Sequence, residues 1–222
     1  MRIALLGGTG DIGRGLALRW AVDTDHELLL GSRDPEKARD AATEYEAELE
    51  ARGVDRTIKG FVNEMAADRA DVVVLAVPPY YVGDTVDAVA DKLDSETILV
   101  SPAVGMKSDE DGVHYRPPPA GSVTALVDQR APDDVPVVGA FHNLPADRLA
   151  TLDVELDLDM LVVGDDEDAK ATVRTLSEEI DGLRALDAGP IANAPEVESI
   201  VPLVINVGRF TDDMHDVGVK FF

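Results

Sequence analysis

Apolar residues in this chain come in short unbroken runs, set between longer stretches in which they recur every three or four positions. The runs Ile3–Leu6, Glu27–Gly31, Thr57–Phe61, Val72–Val77, Thr97–Val100, Val135–Ala140, Met160–Val163 and Leu183–Leu186 are rich in Val, Ile and Leu. Unbroken runs of this kind suit strands covered on both faces, as in a parallel sheet. The helical period fills the gaps, at Ile12–Val22, Pro35–Arg52, Val82–Lys92, Val123–Arg130, Glu167–Ile180 and Val197–Phe210. Strands alternating with helices predict an α/β domain with a doubly wound, mostly parallel sheet.

Punctuation residues sharpen the pattern. Asp34 can cap a helix whose first position is Pro35 and whose dipole is complemented by Glu36. Met106–Ser122 has no periodicity, contains Arg116-Pro117-Pro118-Pro119 and reads as a long loop. After Gly189-Pro190 the pattern is helical to the end, apart from Gly208 and Gly218. The expected organisation is a nucleotide-binding unit over residues 1–188 and a small helical segment over 189–222 that completes its cleft.

The first strand runs directly into Gly7-Gly8-Thr9-Gly10-Asp11-Ile12-Gly13. Gly8, Gly10 and Gly13 satisfy G-x-G-x-x-G between a strand and a helix, the context in which that spacing carries meaning. The first glycine permits a tight turn, the second lets the backbone approach a pyrophosphate, and the third lets the helix pack on the strand. Helix amides then face the anion. This marks a Rossmann-type dinucleotide site; no G-K-[ST] follows, so a P-loop is not supported. About 20 residues on, where NAD enzymes place a carboxylate for the ribose hydroxyls, the chain has Ser32-Arg33, with Lys37 a helical turn further. A guanidinium and an ammonium there suit a 2′-phosphate, so the dinucleotide is expected to be NADP.

Composition explains why two cations at one spot carry information. The 222 residues hold 44 Asp and Glu against 20 Lys and Arg, a formal charge of −24. Such a surface repels nucleic acid and anionic lipid. Asp outnumbers Glu 29 to 15 and Lys is scarce, with 6 residues against 14 Arg. Short carboxylates spread along the whole chain suit a salt-rich cytoplasm, where screening removes their repulsion. With 45% hydrophobic residues the chain can still bury a core. It lacks cysteine, hence any disulfide or thiolate chemistry. No basic segment leads into a long apolar one, and Val72–Val77 is far too short to span a bilayer. A soluble cytoplasmic protein is expected.

Acid–base chemistry is thinly represented. Four residues after Tyr45, Tyr80, Tyr81 and Tyr115 stand Leu49, Asp84, Thr85 and Pro119, so the Tyr-x-x-x-Lys pair of short-chain dehydrogenases is missing. His142 follows an apolar strand; a cleft residue that meets a bound ring and a structural histidine satisfied by backbone are equally compatible with that position. His215 lies among Asp212, Asp213 and Asp216 in what reads as a solvated acidic loop, and His26 and His114 read as surface residues; no metal site is expected.

The sequence resembles the archaeal, haloarchaeal-type family of NADPH-dependent coenzyme F420 reductases (F420:NADP oxidoreductases). The similarity rests on Met1–Gly10, Gly13–Leu18, Gly31-Ser32-Arg33, Ile180–Pro190 and Gly218–Phe222. It extends over the whole chain and is weakest from Met106 to Arg130. It implies direct hydride transfer between nicotinamide C4 and C5 of the 5-deazaflavin, a reaction that needs two planar rings held together in a dry slot more than it needs side-chain chemistry. It also implies site roles. Thr9, Gly10, Asp11 and Ile12 would contact the pyrophosphate, and Ser32, Arg33 and Lys37 the 2′-phosphate. Val77 would lie along the cofactor, Val104 near the nicotinamide, Ala146 in the same cleft, and Val217 would close it. Tyr81 stands at a cofactor-facing position where the family has His. Pro195 and Val201 replace a basic residue and a hydroxyl of the family, so the anionic deazaflavin tail would be held differently here.

Two alternatives stand beside this reading: an NADPH-dependent reductase of another small acceptor such as a cyclic imine or a metal chelate, and a non-catalytic NADP(H)-binding module. A larger helical substrate domain would favour the first. The apolar run Ile200–Ile205 suits either a core or a homodimer interface, and a homodimer is expected.

Overall fold

The computed structural model describes all 222 residues. In chain order its elements are β1 (Arg2–Leu6), α1 (Asp11–Asp23), β2 (Glu27–Ser32), α2 (Pro35–Glu50), β3 (Ile58–Val62), α3 (Asn63–Ala67), β4 (Val72–Leu75), α4 (Val82–Val89), β5 (Ile98–Ser101), β6 (Met106–Asp109), β7 (Gly112–Tyr115), α5 (Val123–Arg130), β8 (Val137–Gly139), α6 (Ala146–Ala150), β9 (Leu158–Gly164), α7 (Glu167–Glu178), β10 (Leu183–Asp187) and α8 (Ala194–Phe210). Every strand read from an apolar run is present. The main sheet has the order β10-β9-β8-β5-β4-β1-β2-β3. All its pairings are parallel except β8 with β9. Rossmann topology is therefore observed, with the last two strands added at one edge.

The unbroken runs are explained by burial on both sides. Ile3, Leu5, Leu28, Leu30, Val72 and Val74 face a core formed with α1, α2 and α7. Their neighbours Ala4, Leu6, Leu29, Val73 and Leu75 face a second core with α3, α4 and α5. Leu161 and Val163 of β9 are covered by Ala194 and Val197 of α8. The strand order turns back at β1, which has β4 on one side and β2 on the other. In open α/β sheets the ligand crevice lies outside the carboxyl ends of the strands at that point.

Three expectations require correction. Met106–Ser122 is not a featureless loop: β6 and β7 form an antiparallel hairpin. Its turn ends at Gly112, whose φ is 137°, and Asp111-Gly112 was the available local signal. All of β6 is exposed, so it has no apolar alternation, and the hairpin is held from outside. The Asn206 side chain of α8 accepts from the Val113 amide and donates to its carbonyl, both at 2.8 Å. Second, the terminal segment is helical only to Phe210. Residues 217–221 lie along β9 instead, with the Asp159 amide donating to Val219 and the Phe221 amide to the Asp159 carboxylate. Gly218 permits this, because a Cβ there would sit 2.2 Å from Leu158. Third, the set of helices is larger than the periodicity predicts: α3 and α6, of five residues each, are too short to show a helical period.

Candidate active site

The glycine loop leaves β1 at Gly7, whose φ of 78° favours glycine. A Cβ at Gly7 would also sit 2.6 Å from the Ala76 carbonyl. The turn assigned to Gly8 in the motif is thus made one residue earlier. Gly8 is required by packing, since its Cβ would lie 2.8 Å from the Leu5 carbonyl. Gly13 meets its expected role, as a Cβ there would lie 2.7 Å from the Gly8 Cα. Gly10 differs from all three: nothing in the chain lies closer than 3.4 Å to a Cβ built there. The protein leaves room at Gly10, so nothing within the chain requires a bare backbone there. Gly10 caps α1 without a side-chain hydrogen bond, and Thr9, Gly10 and Asp11 are exposed. The first-turn amides of α1 are thus available to an anion. The buried Tyr45 hydroxyl of α2 donates to the Gly8 carbonyl at 3.0 Å and fixes the loop from behind.

The residues expected to meet a 2′-phosphate stand at and just after the close of β2. Asp34 caps α2 as expected, accepting from the Glu36 amide at 3.0 Å. The Ser32 hydroxyl accepts from the Asp34 amide at 3.2 Å. Arg33 and Lys37 are exposed, and neither joins any of the ion pairs that engage most of the other cations. The Arg33 guanidinium lies over the Tyr81 ring, 5.1 Å from its centroid. Tyr81, in the single 3₁₀ turn Pro79–Tyr81 after β4, is thus drawn to the same end of the site. Val77 lies two residues beyond the end of β4 and packs beside Gly7.

From this loop opens a mostly apolar cavity of about 540 Å³. It brings together the expected Asp11, Ile12, Val104, Ala146 and Val217 with His142. The loop glycines, Ser32, Arg33, Lys37, Val77 and Tyr81 do not line it. Val201, noted above, forms a wall with Val204, Ile205 and Gly208 of α8, which residue-by-residue reading missed. The signal was the apolar run Ile200–Ile205, which proves to line a cleft on one side. His215 also borders the cavity, from an exposed position. No group of three His, Asp or Glu residues is arranged to hold a metal.

His142 lines the cavity, and its ring is partnered by the Thr124 side chain rather than by backbone. Phe141 before it has φ of 65°, an uncommon conformation for a bulky residue, and is held edge-on against Trp20 with centroids 5.6 Å apart. The turn places both residues at the cavity wall. The His142 ring is 5% exposed, its Nε2 lies 3.2 Å from the Thr124 hydroxyl, and its Nδ1 has no partner. Burial pushes its pKa down from 6.5 to about 4, so the ring is neutral at pH 7. Between those two values the unfolded chain binds a proton that the folded chain refuses. The resulting stability is full above pH 6.5 and is lost as the pH falls towards 4, about 3 kcal/mol in all. His142→Gln is expected to narrow the gap between denaturant midpoints at pH 7 and pH 4.5. An unchanged gap would show that the ring is not buried neutral. The raised Glu198 carboxyl, shifted up by its own burial, acts in the opposite sense in both proteins and cancels in the comparison.

Residues 2–105 match the family described as NADP oxidoreductase, coenzyme F420-dependent. The chain is 38% identical over 212 residues to the F420-dependent NADP reductase of Methanocaldococcus jannaschii, covering 93% of this chain and 92% of that one. Among solved structures, a protein from Arthrobacter sp. FB24 named as an F420-dependent NADP-reductase superposes with a TM-score of 0.79 at 24% identity, over 100% of both chains. A pyrroline carboxylate reductase of Plasmodium falciparum with NADP bound has a TM-score of 0.55 at 15% identity, over 84% of this chain and 57% of that one. The last two likenesses concern the fold. A glycine loop that leaves room only at Gly10, unpaired cations at the end of β2, an apolar slot and full-length similarity converge on one assignment: the chain belongs to the family of F420-dependent NADP reductases.

Proposed function

We propose that this protein transfers a hydride directly between NADP(H) and coenzyme F420. The observation that carries this reading is the slot: an apolar cavity beside a glycine loop, with a histidine held neutral as its buried ionisable group. The two rings supply the redox chemistry themselves, so the chain's task is to bind, orient and keep water out. The Gly10–Ile12 backbone holds the pyrophosphate, and Ser32, Arg33 and Lys37 hold the 2′-phosphate with Tyr81 steadying Arg33. Val77, Val104, Ala146 and Val217 supply apolar walls, and residues 189–222 close the cleft over the unit formed by 1–188.

The −24 charge supports a salt-rich cytoplasm as the working environment, and no helix is long and apolar enough to cross a membrane. Leu203, Val207 and Phe210 form an exposed stripe on α8 at helical spacing, which supports a homodimer through that face. Purified protein given NADPH and oxidised coenzyme F420 in molar salt is expected to bleach the deazaflavin. Turnover of a cyclic imine or ferric chelate but not of the deazaflavin would move the assignment to another acceptor. Tight NADPH binding with no turnover would leave a binding module.

A further inference from the structure

Behind the cavity wall, four donors converge on one carboxylate. Glu198 of α8 is fully buried. One of its oxygens accepts from the Thr124 amide at 2.9 Å and the Thr124 hydroxyl at 3.1 Å. The other accepts from the Val123 amide at 3.0 Å and the Tyr115 hydroxyl at 3.1 Å. Two donors on each oxygen are what an ionised carboxylate takes, whereas a protonated carboxyl would set its own O–H against one of them. Tyr115 has one proton and a second acceptor, the Gly121 carbonyl at 3.2 Å, and the charge draws that proton to Glu198. The two amides belong to the first turn of α5, where the helix dipole also favours a negative charge.

Thr124 carries this polarity to the cavity. A hydroxyl whose proton is given to Glu198 can only accept from the ring nitrogen 3.2 Å away, so the His142 proton sits on Nε2. Nδ1 is then a bare lone pair, buried and unpaired, on a ring that lines the cavity. We propose that Glu198, acting through Thr124, is a positioning residue that locks His142 as the neutral Nε2–H tautomer, leaving Nδ1 to accept from an N–H or O–H group of the molecule bound in the cavity. That this molecule is the deazaflavin rests on the function proposed above; the tautomer does not.

The test is a ring-¹⁵N spectrum of ligand-free, histidine-labelled protein in molar salt, with the His142 signals identified by their loss in His142→Asn. A protonated Nε2 and a bare Nδ1 are expected; an Nδ1–H tautomer or an imidazolium would overturn the proposal. Thr124→Val removes the hydroxyl at nearly constant volume and Thr124→Ser keeps it. Thr124→Val is expected to raise KM for coenzyme F420 about tenfold, the scale of one hydrogen bond, with NADPH affinity unchanged and Thr124→Ser close to wild type. Equal losses in both variants, or a loss shared with NADPH, would reduce Thr124 to packing and overturn the relay. Should the protein turn over no deazaflavin at all, the functional reading fails while the spectrum still decides the tautomer.

Discussion

Replacing Arg33 and Lys37 together by alanine is expected to raise the Kd for NADPH by about 10²–10³-fold while leaving NADH within a few-fold. A hydrogen bond to a charged group contributes about 1.5–3 kcal/mol, and each 1.4 kcal/mol is tenfold. Two such side chains at the lower end of that range account for the change. Both are exposed and neither has a carboxylate partner in a chain holding 44 Asp and Glu. Arg33 is held by the Tyr81 ring, 5.1 Å beneath it. Fluorescence titration with both nucleotides is the measurement, and equal weakening of NADPH and NADH would remove the 2′-phosphate role. Molar salt weakens the long-range part of the attraction, so the comparison belongs at one fixed salt concentration.

Dilution from molar to 0.1 M salt is expected to unfold the protein. The screening length grows from about 3 Å to about 10 Å, so charges on neighbouring helical turns begin to repel. The structure shows where this acts. Glu36, Asp40 and Glu44 stand one turn apart on the exposed face of α2, and like charges at that spacing cost about 0.2–0.5 kcal/mol per pair. Repeated over a surface of charge −24, such terms sum to several kcal/mol, comparable with the roughly 5–15 kcal/mol that holds a domain together. Melting temperature followed across a salt series is the measurement, with sedimentation in the same series testing whether the chain pairs with a second copy. A melting temperature indifferent to salt would remove the halophilic reading.

Much of the nucleotide-binding half was legible because its constraints are local. A strand buried on both faces must be apolar at every position, and Ile3–Leu6 shows that without any partner in view. Gly13 must lack a side chain because Gly8, five residues away, lies against it. Arg33 and Lys37 stand out only because the rest of the chain is acidic. Glu198 and Thr124 were illegible for the same reason. One more glutamate in a chain with 15 carries no signal, and its burial depends on α8 crossing behind α5 and the hairpin.

The amino-acid sequence by itself determined the strands of the main sheet and the longer helices between them, the glycine loop and the preference for a 2′-phosphate, since each follows from residues within a few turns of one another. The tertiary structure decided the rest. It made a hairpin of Met106–Asp109 and Gly112–Tyr115 through Asn206, moved the tight turn from Gly8 to Gly7, and laid the C-terminal residues along β9. It also joined Glu198, Thr124 and His142 behind the cavity. Those features depend on contacts between segments far apart in the chain, whose pairing is set by the shared core rather than by any local pattern.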